Sequence, residues 1–242
     1  MIHIANTPDD ACQECAVALT NILKAKIEKS GIAYIAISGG STPKLLFDII
    51  STSHKEAVDW KRVHVFWVDE RCVPPDNSES NYRMTEEHLL KNLPLNTKNI
   101  HRVRGEDDAE IEAVRYAAEI LSVVPLRTGI PSFDVILLGM GDDGHTASIF
   151  PNAMHLIQSN KITSTASHPQ SGQVRVTLTG PVINNAEHVM FLATGASKAP
   201  VLDIILHNKP EASLYPAAYI APISGNLDWY VDSEAAKKYS VA

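Results

Sequence analysis

No stretch of this chain approaches the roughly 20 consecutive apolar residues that a bilayer-spanning helix needs. Its opening, Met1-Ile2-His3-Ile4-Ala5-Asn6-Thr7-Pro8, lacks the charged-then-apolar order of a secretory signal. Blocks of like charge are also missing, and 21 basic residues stand against 28 acidic ones for a net charge of −7. That balance argues against a nucleic-acid surface and leaves room for a local basic pocket. A cytoplasmic protein is the expectation. Cysteine is scarce, with only Cys12, Cys15 and Cys72. The first two form a C-x-x-C, but no long strand precedes them as a redox pair requires, and no second ligand pair follows at zinc spacing. They lie in a run with helical periodicity, which assigns them to a core-facing helix side, where free cysteine packs as a small hydrophobe. There is no internal repeat, low-complexity tract or long linker, so residues 1–242 read as one domain.

What is present is ordinary globular material, 45% hydrophobic and 20% charged. Residues 9–29 carry apolar positions at helical spacing up to a terminating Gly31, and residues 32–37 give a short apolar strand. A helix follows from Lys44, with Thr42 as its expected N-cap and Pro43 at its first position. Residues 63–68 form a third apolar segment, and a helix resumes near Tyr82. The spacing of Ile111, Val114, Ala117, Ala118 and Leu121 predicts an amphipathic helix with those residues inward. Val135 to Leu138 reads as a strand buried on both faces. Residues 173–179 alternate as a strand with one polar face, and residues 189–193 form another strand leading to a helix through Leu206. Residues 216–222 and 227–232 read as a final strand pair or strand-turn, and a short helix closes the chain. Strands alternating with helices imply an α/β fold with a doubly wound, mainly parallel sheet and helices on both faces.

Three turns at strand ends hold the candidate chemistry. In an open parallel sheet, ligands bind just beyond the carboxyl ends of the strands. After Leu138 comes Gly139-Met140-Gly141-Asp142-Asp143-Gly144-His145, ahead of an expected helix start at Thr146-Ala147-Ser148. An imidazole can take and return a proton near neutral pH, and a carboxylate two residues away can orient it. His145 and Asp143 are therefore the candidate catalytic pair. After Ile37 comes Ser38-Gly39-Gly40-Ser41-Thr42-Pro43. Free N–H groups of Gly39 and Gly40, the hydroxyls of Ser41 and Thr42 and a helix dipole suit an anion, although the same residues also fit a plain, well-capped turn. This is neither a G-x-x-x-x-G-K-[ST] loop nor a G-x-G-x-x-G fingerprint. After Val68 comes Asp69-Glu70-Arg71, which reads either as the beginning of a solvated loop or as part of a site.

These blocks resemble those of the 6-phosphogluconolactonases. The likeness rests on Ser38 to Pro43, on Asp69-Glu70-Arg71-x-Val73-Pro74 running on to Ser80-Asn81-Tyr82, and on Gly139 to Ser148 with Phe150-Pro151. Weaker later blocks agree: Arg175-Val176-Thr177-Leu178-Thr179, Asn184-x-Ala186, Gly195-x-x-Lys198-Ala199, and Tyr215-Pro216-Ala217 with Trp229. The resemblance implies a Rossmann-like fold of the glucosamine-6-phosphate deaminase type. It implies hydrolysis of 6-phospho-D-glucono-1,5-lactone without metal, cofactor or covalent intermediate, by a monomer or small homo-oligomer whose partner is the small-molecule substrate. It further implies that Arg175, through a two-pronged contact, and Lys198 add charge at the phosphate, and that Asp69 and Arg71 line the same edge. Deaminases of that fold place a glutamate five residues beyond the histidine, and here that position is Phe150, which cannot relay a proton. An amino-sugar-phosphate deaminase or isomerase is thus the runner-up, and a non-catalytic sugar-phosphate sensor the alternative of another class.

Overall fold

The computed structural model describes residues 1–239. In chain order its elements are β1 (Ile2–Ala5), α1 (Pro8–Ser30), β2 (Ala33–Ile37), α2 (Ser41–Ser53), β3 (Val63–Trp67), β4 (Asp69–Arg71), α3 (Asn81–His88), β5 (Ile100–His101) and α4 (Ala109–Val123). There follow β6 (Leu126–Arg127), β7 (Ile130–Pro131), β8 (Val135–Leu138), β9 (Thr163–Ser167), β10 (Val174–Leu178), α5 (Gly180–Asn184), β11 (His188–Ala193), α6 (Ala199–Leu206) and β12 (Leu227–Asp232). Local signals explain their ends. Thr7 caps α1 by accepting from the Asp10 N–H at 3.1 Å, Asp9 and Asp10 sit at the positive end of its dipole, and Gly31 stops it at φ 79°.

Among the described residues, seven strands form one all-parallel sheet in the order β1-β12-β11-β8-β2-β3-β5. From the central β8–β2 pair the chain winds outward in both directions. With right-handed crossovers this places helices on both faces, as expected for the doubly wound class. The central strands are buried along their length, and α1 and α2 pack on one another and against β8 and β11. Cys12 and Cys15 lie inside that packing as free thiols, with burial pushing Cys12 up to about 12.

A second, antiparallel sheet of order β4-β10-β9 adjoins the carboxyl end of β3. The main chain changes sheets at Val68, whose N–H donates to Ile37 O at 2.9 Å and whose carbonyl accepts from Leu178 N at 2.7 Å. The sequence pattern finds β10 but not its partners, because β4 is three residues long and β9, Thr-Ser-Thr-Ala-Ser, has no apolar alternation. β1 and the small β6–β7 hairpin are also absent from that pattern.

Four local expectations are corrected. α2 begins at Ser41, with Gly40 rather than Thr42 as its N-cap, because Gly40 adopts φ 117° and turns the chain into the helix three residues early. No helix starts at Thr146. Residues 146–149 instead close a tight bridge, with Ala147 at φ 49°, and a 3₁₀ segment runs from Pro151 to Gln158. The apolar positions read as the inward side of α4 point outward, with Ile111 70%, Val114 72% and Leu121 45% exposed. The buried side is Glu112, Ala113, Tyr116 and Ile120. Hydrogen bonding decides this orientation: Tyr116 Oη accepts from Trp67 N at 2.8 Å and donates to Trp67 O at 2.9 Å, while Glu112 accepts from Arg104 N at 2.8 Å. Beyond β12 the chain turns through residues 233–238 and forms no helix there.

On β3, His64 Nδ1 lies 2.9 Å from His101 Nε2, and His101 Nδ1 lies 2.8 Å from Glu119 Oε1. Burial, with a smaller push from His101, lowers His64 from its ordinary 6.5 to about 4. The unfolded chain therefore takes up this proton first, and the contribution of neutral His64 to stability is lost as pH falls from 6.5 towards 4. Urea midpoints are expected to drop across that window, and to drop less steeply in His64→Gln. An equal slope in both proteins would contradict the assignment.

Candidate active site

β2 and β8 are neighbours whose following connections diverge, and the cleft opens where they part. Ser38, at the end of β2, binds the two strand ends together: its Oγ donates to Leu137 O at 2.9 Å and accepts from Gly139 N at 3.3 Å. Above this staple lies a cleft of about 410 Å³, within the range of small-molecule sites. Every candidate from the sequence except Asp143 lines it: Gly39, Gly40, Ser41, Thr42, Asp69, Arg71, His145, Arg175 and Lys198. Asp143 stands directly behind His145.

The turn after β8 places the imidazole. Gly141 N donates to His145 O at 2.9 Å and Gly144 N to Gly141 O at 3.0 Å, folding the turn back on itself. A Cβ at Gly141 would sit 2.2 Å from His145 Nδ1, so only glycine leaves the ring in place. His145 Nδ1 lies 2.5 Å from Asp143 Oδ1, which also accepts the His145 N–H at 3.2 Å. Partial burial opposes ionisation of Asp143, but the hydrogen bond and charge of His145 prevail and hold the carboxyl below its ordinary range. With Nδ1 turned to the carboxylate, Nε2 is the nitrogen left for chemistry. The buried Phe150 ring packs beside the imidazole, with centroids 4.9 Å apart.

Two features of the cleft favour an anion. The first is the start of α2, whose leading N–H groups have no intrahelical partner and which no side chain caps among the described residues. Thr42 Oγ1 lies 3.1 Å from Thr194 Oγ1. The second is a pair of guanidinium groups. Arg71 on β4 and Arg175 on β10 are directly opposed in the antiparallel ladder and so share a face. Like charges in that relation destabilise a sheet. Each has a buried Nε with no hydrogen-bond partner among the described residues. Burial pushes Arg175 below its ordinary value; Asp69 opposes this and Arg71 adds to it. A dianion between them would satisfy both.

The remaining predicted residues are placed as follows. Lys198 reaches the rim bound to Asp142 Oδ1 at 2.5 Å, and Ser197 Oγ joins the same oxygen at 3.0 Å. The Lys198 hydrogen bond, against partial burial, holds the Asp142 carboxyl below its usual range. Asp69 is buried and accepts from Ser148 Oγ at 2.6 Å. Glu70 takes no part in the cleft. It accepts the N–H groups of Arg71, Asn81 and Tyr82 and the Ser80 hydroxyl, pinning α3 to β4. Sequence reasoning assigns no role to Ser38, Asn81, Asp142, Thr194 or Ser197, which also line the cleft. Thr194 does carry a signal, since it directly follows β11 and ligands bind beyond strand carboxyl ends. Among the described residues no group of three or more His, Cys, Asp and Glu side chains is arranged to hold a metal ion, and no helix is long and apolar enough to cross a membrane.

Comparison with known proteins gives one answer. A family model described as glucosamine-6-phosphate isomerases/6-phosphogluconolactonase matches residues 6–229. A 6-phosphogluconolactonase of Treponema pallidum is 41% identical over 207 residues, covering 86% of this chain and 86% of its own length. The structure of 6-phosphogluconolactonase from Trypanosoma brucei superposes with a TM-score of 0.84 at 30% identity, over 99% of this chain and 98% of that one. A monomeric glucosamine-6-phosphate deaminase superposes with a TM-score of 0.82 over 98% of this chain and 99% of its own, at 18% identity, a likeness of fold alone. The chain belongs to the glucosamine-6-phosphate isomerase and 6-phosphogluconolactonase family, among its 6-phosphogluconolactonases.

Proposed function

We propose that this protein hydrolyses 6-phospho-D-glucono-1,5-lactone to 6-phospho-D-gluconate, the second step of the oxidative pentose phosphate pathway. The observation that carries the reading is one cleft lined by a carboxylate-oriented imidazole and by two partly buried guanidinium groups whose buried Nε–H donors have no partner among the described residues. The reading takes residues 1–242 as one catalytic domain acting in the cytoplasm, as a monomer or small homo-oligomer.

A lactone carbonyl is already electrophilic, so the protein has to supply an activated water, a place for the substrate and a proton for the departing ring oxygen. Asp143 accepts the Nδ1–H of His145 and fixes the tautomer whose Nε2 lone pair faces outward. Nε2 removes a proton from water as the water oxygen bonds to C1. The tetrahedral adduct then expels the ring oxygen, which takes the proton back from Nε2. Arg71 and Arg175 clamp the 6-phosphate, and the Gly39–Gly40 main chain, Ser41, Thr42 and Lys198 complete the polar wall. Binding the phosphate at a distance from C1 converts affinity into orientation of the carbonyl. Phe150 occupies the position where a deaminase would need a proton relay, and its ring is fully buried against His145.

On fresh substrate, corrected for spontaneous hydrolysis, wild type is expected to open the lactone and to release no ammonia from glucosamine 6-phosphate. His145→Asn is expected to lower kcat by about 10²–10⁴, the usual scale of general acid–base help. Retention of full turnover in that variant would sink the mechanism. Arg175→Ala removes charge-assisted hydrogen bonds of about 1.5–3 kcal/mol and should raise KM by about tenfold or more. An unchanged KM would show that the phosphate lies elsewhere.

A further inference from the structure

Arg175 is only 13% exposed, yet it is poorly satisfied. Nη2 donates to Gln173 Oε1 at 3.2 Å, and Nε has no partner among the described residues. A buried carboxylate, Asp69, stands beside it with a side chain 7% exposed. Two such groups would ordinarily close into a hydrogen-bonded pair, since an unpaired buried charge is costly. They do not close. Asp69 Oδ2 stays 3.7 Å from Arg175 Nη1, beyond hydrogen-bond reach. That same oxygen accepts from Ser148 Oγ at 2.6 Å.

Ser148 is fully buried in the segment that follows His145. Its own N–H donates to Thr177 Oγ1 at 3.1 Å, and Thr177 is the residue that faces Asp69 across the β4–β10 ladder. Its main chain is therefore anchored to β10, and its hydroxyl holds the β4 carboxylate. We propose that Ser148 is a positioning residue for phosphate specificity: its hydroxyl restrains Asp69 and so keeps Arg175 from being neutralised inside the protein. The inference rests on the proposed reading of the cleft as a site for a phosphorylated lactone. Without the hydroxyl, Asp69 loses its strongest partner in a dry site, and the nearest replacement is the guanidinium. An arginine closed on an internal carboxylate is a weaker ligand for phosphate. The segment that carries the proposed base would thus also set the strength of the anion clamp.

The test is a cycle of Ser148→Ala, Asp69→Asn and the double variant, each checked for folding by thermal melting. One readout is the ratio of kcat/KM for the phosphorylated lactone to that for unphosphorylated glucono-1,5-lactone. The other is the Kd for inorganic phosphate by calorimetry. Ser148→Ala is expected to lower the ratio and weaken phosphate binding by about tenfold, the scale of one charge-assisted contact. Adding Asp69→Asn is expected to restore both, because an amide cannot neutralise Arg175. Asp69→Asn alone should bind phosphate at least as tightly as wild type, a measurement that stands even if Ser148→Ala does not fold. Equal loss on both lactones, additive damage in the double variant, or weaker phosphate binding in Asp69→Asn would each overturn the proposal. If wild type opened neither lactone, the reading of the cleft would fail, and the phosphate affinities alone would decide the role of Ser148 by the same pattern of loss and recovery.

Discussion

Strands β2 and β8 run side by side, but the connections leaving them diverge, and a cleft opens between them. A parallel sheet that winds outward from its middle always opens such a crevice at the strand carboxyl ends. Here the Ser38 hydroxyl bonds to both strand ends and fixes its floor. One wall of the site is attached to that fixed floor through short turns. The imidazole hangs from β8, the open start of α2 from β2, and the rim residues Thr194 and Lys198 from the connection after β11. None of these groups needs a long mobile loop to reach the others, so the cleft is shaped before any ligand arrives.

The antiparallel β4-β10-β9 sheet contributes something the parallel sheet cannot. Across an antiparallel ladder two side chains stand directly opposite on one face, and here both are arginines. Holding two like charges face to face with their Nε–H groups buried and unpaired costs stability. The surrounding structure absorbs that cost through Tyr116, which satisfies both polar main-chain groups of Trp67, and through Glu70, which gathers three main-chain N–H groups and a hydroxyl. Strain concentrated at one place and over-determined packing elsewhere is the pattern expected where a polar ligand completes the site.

How legible this was in the sequence depends on how local each determinant is. The β8 turn compresses glycines, carboxylates and histidine into one run, so the His145–Asp143 pair can be read from a single segment. The inner parallel strands β2, β3, β8 and β11 are equally plain as apolar runs between turn formers, whereas the edge strand β1 is not. The start of α2 was misplaced because Gly40 caps it by main-chain conformation rather than by a side chain. The face of α4 was inverted because two polar groups, Tyr116 Oη and Glu112, have fixed partners within, and these outweigh the alternative apolar stripe. The opposition of Arg71 and Arg175 was out of reach. It arises from pairing between segments far apart in the chain, one of them three residues long, and no local periodicity encodes it.

On the proposed reading, Phe150 is the position at which two chemistries on one fold part. Its ring is fully buried, lies 4.9 Å from the His145 imidazole, and carries the Arg175 guanidinium at 5.7 Å from its centroid. An acid at this position would lie beside both groups, competing with Asp143 for the imidazole and with substrate for the guanidinium. Deamination of an amino sugar needs several proton transfers and can use such a relay. Opening a lactone by the proposed route needs one proton taken from water and returned to the ring oxygen, which a single imidazole accomplishes. An apolar ring therefore serves this reaction better than an acid, since it supports the imidazole and the guanidinium without drawing charge from either.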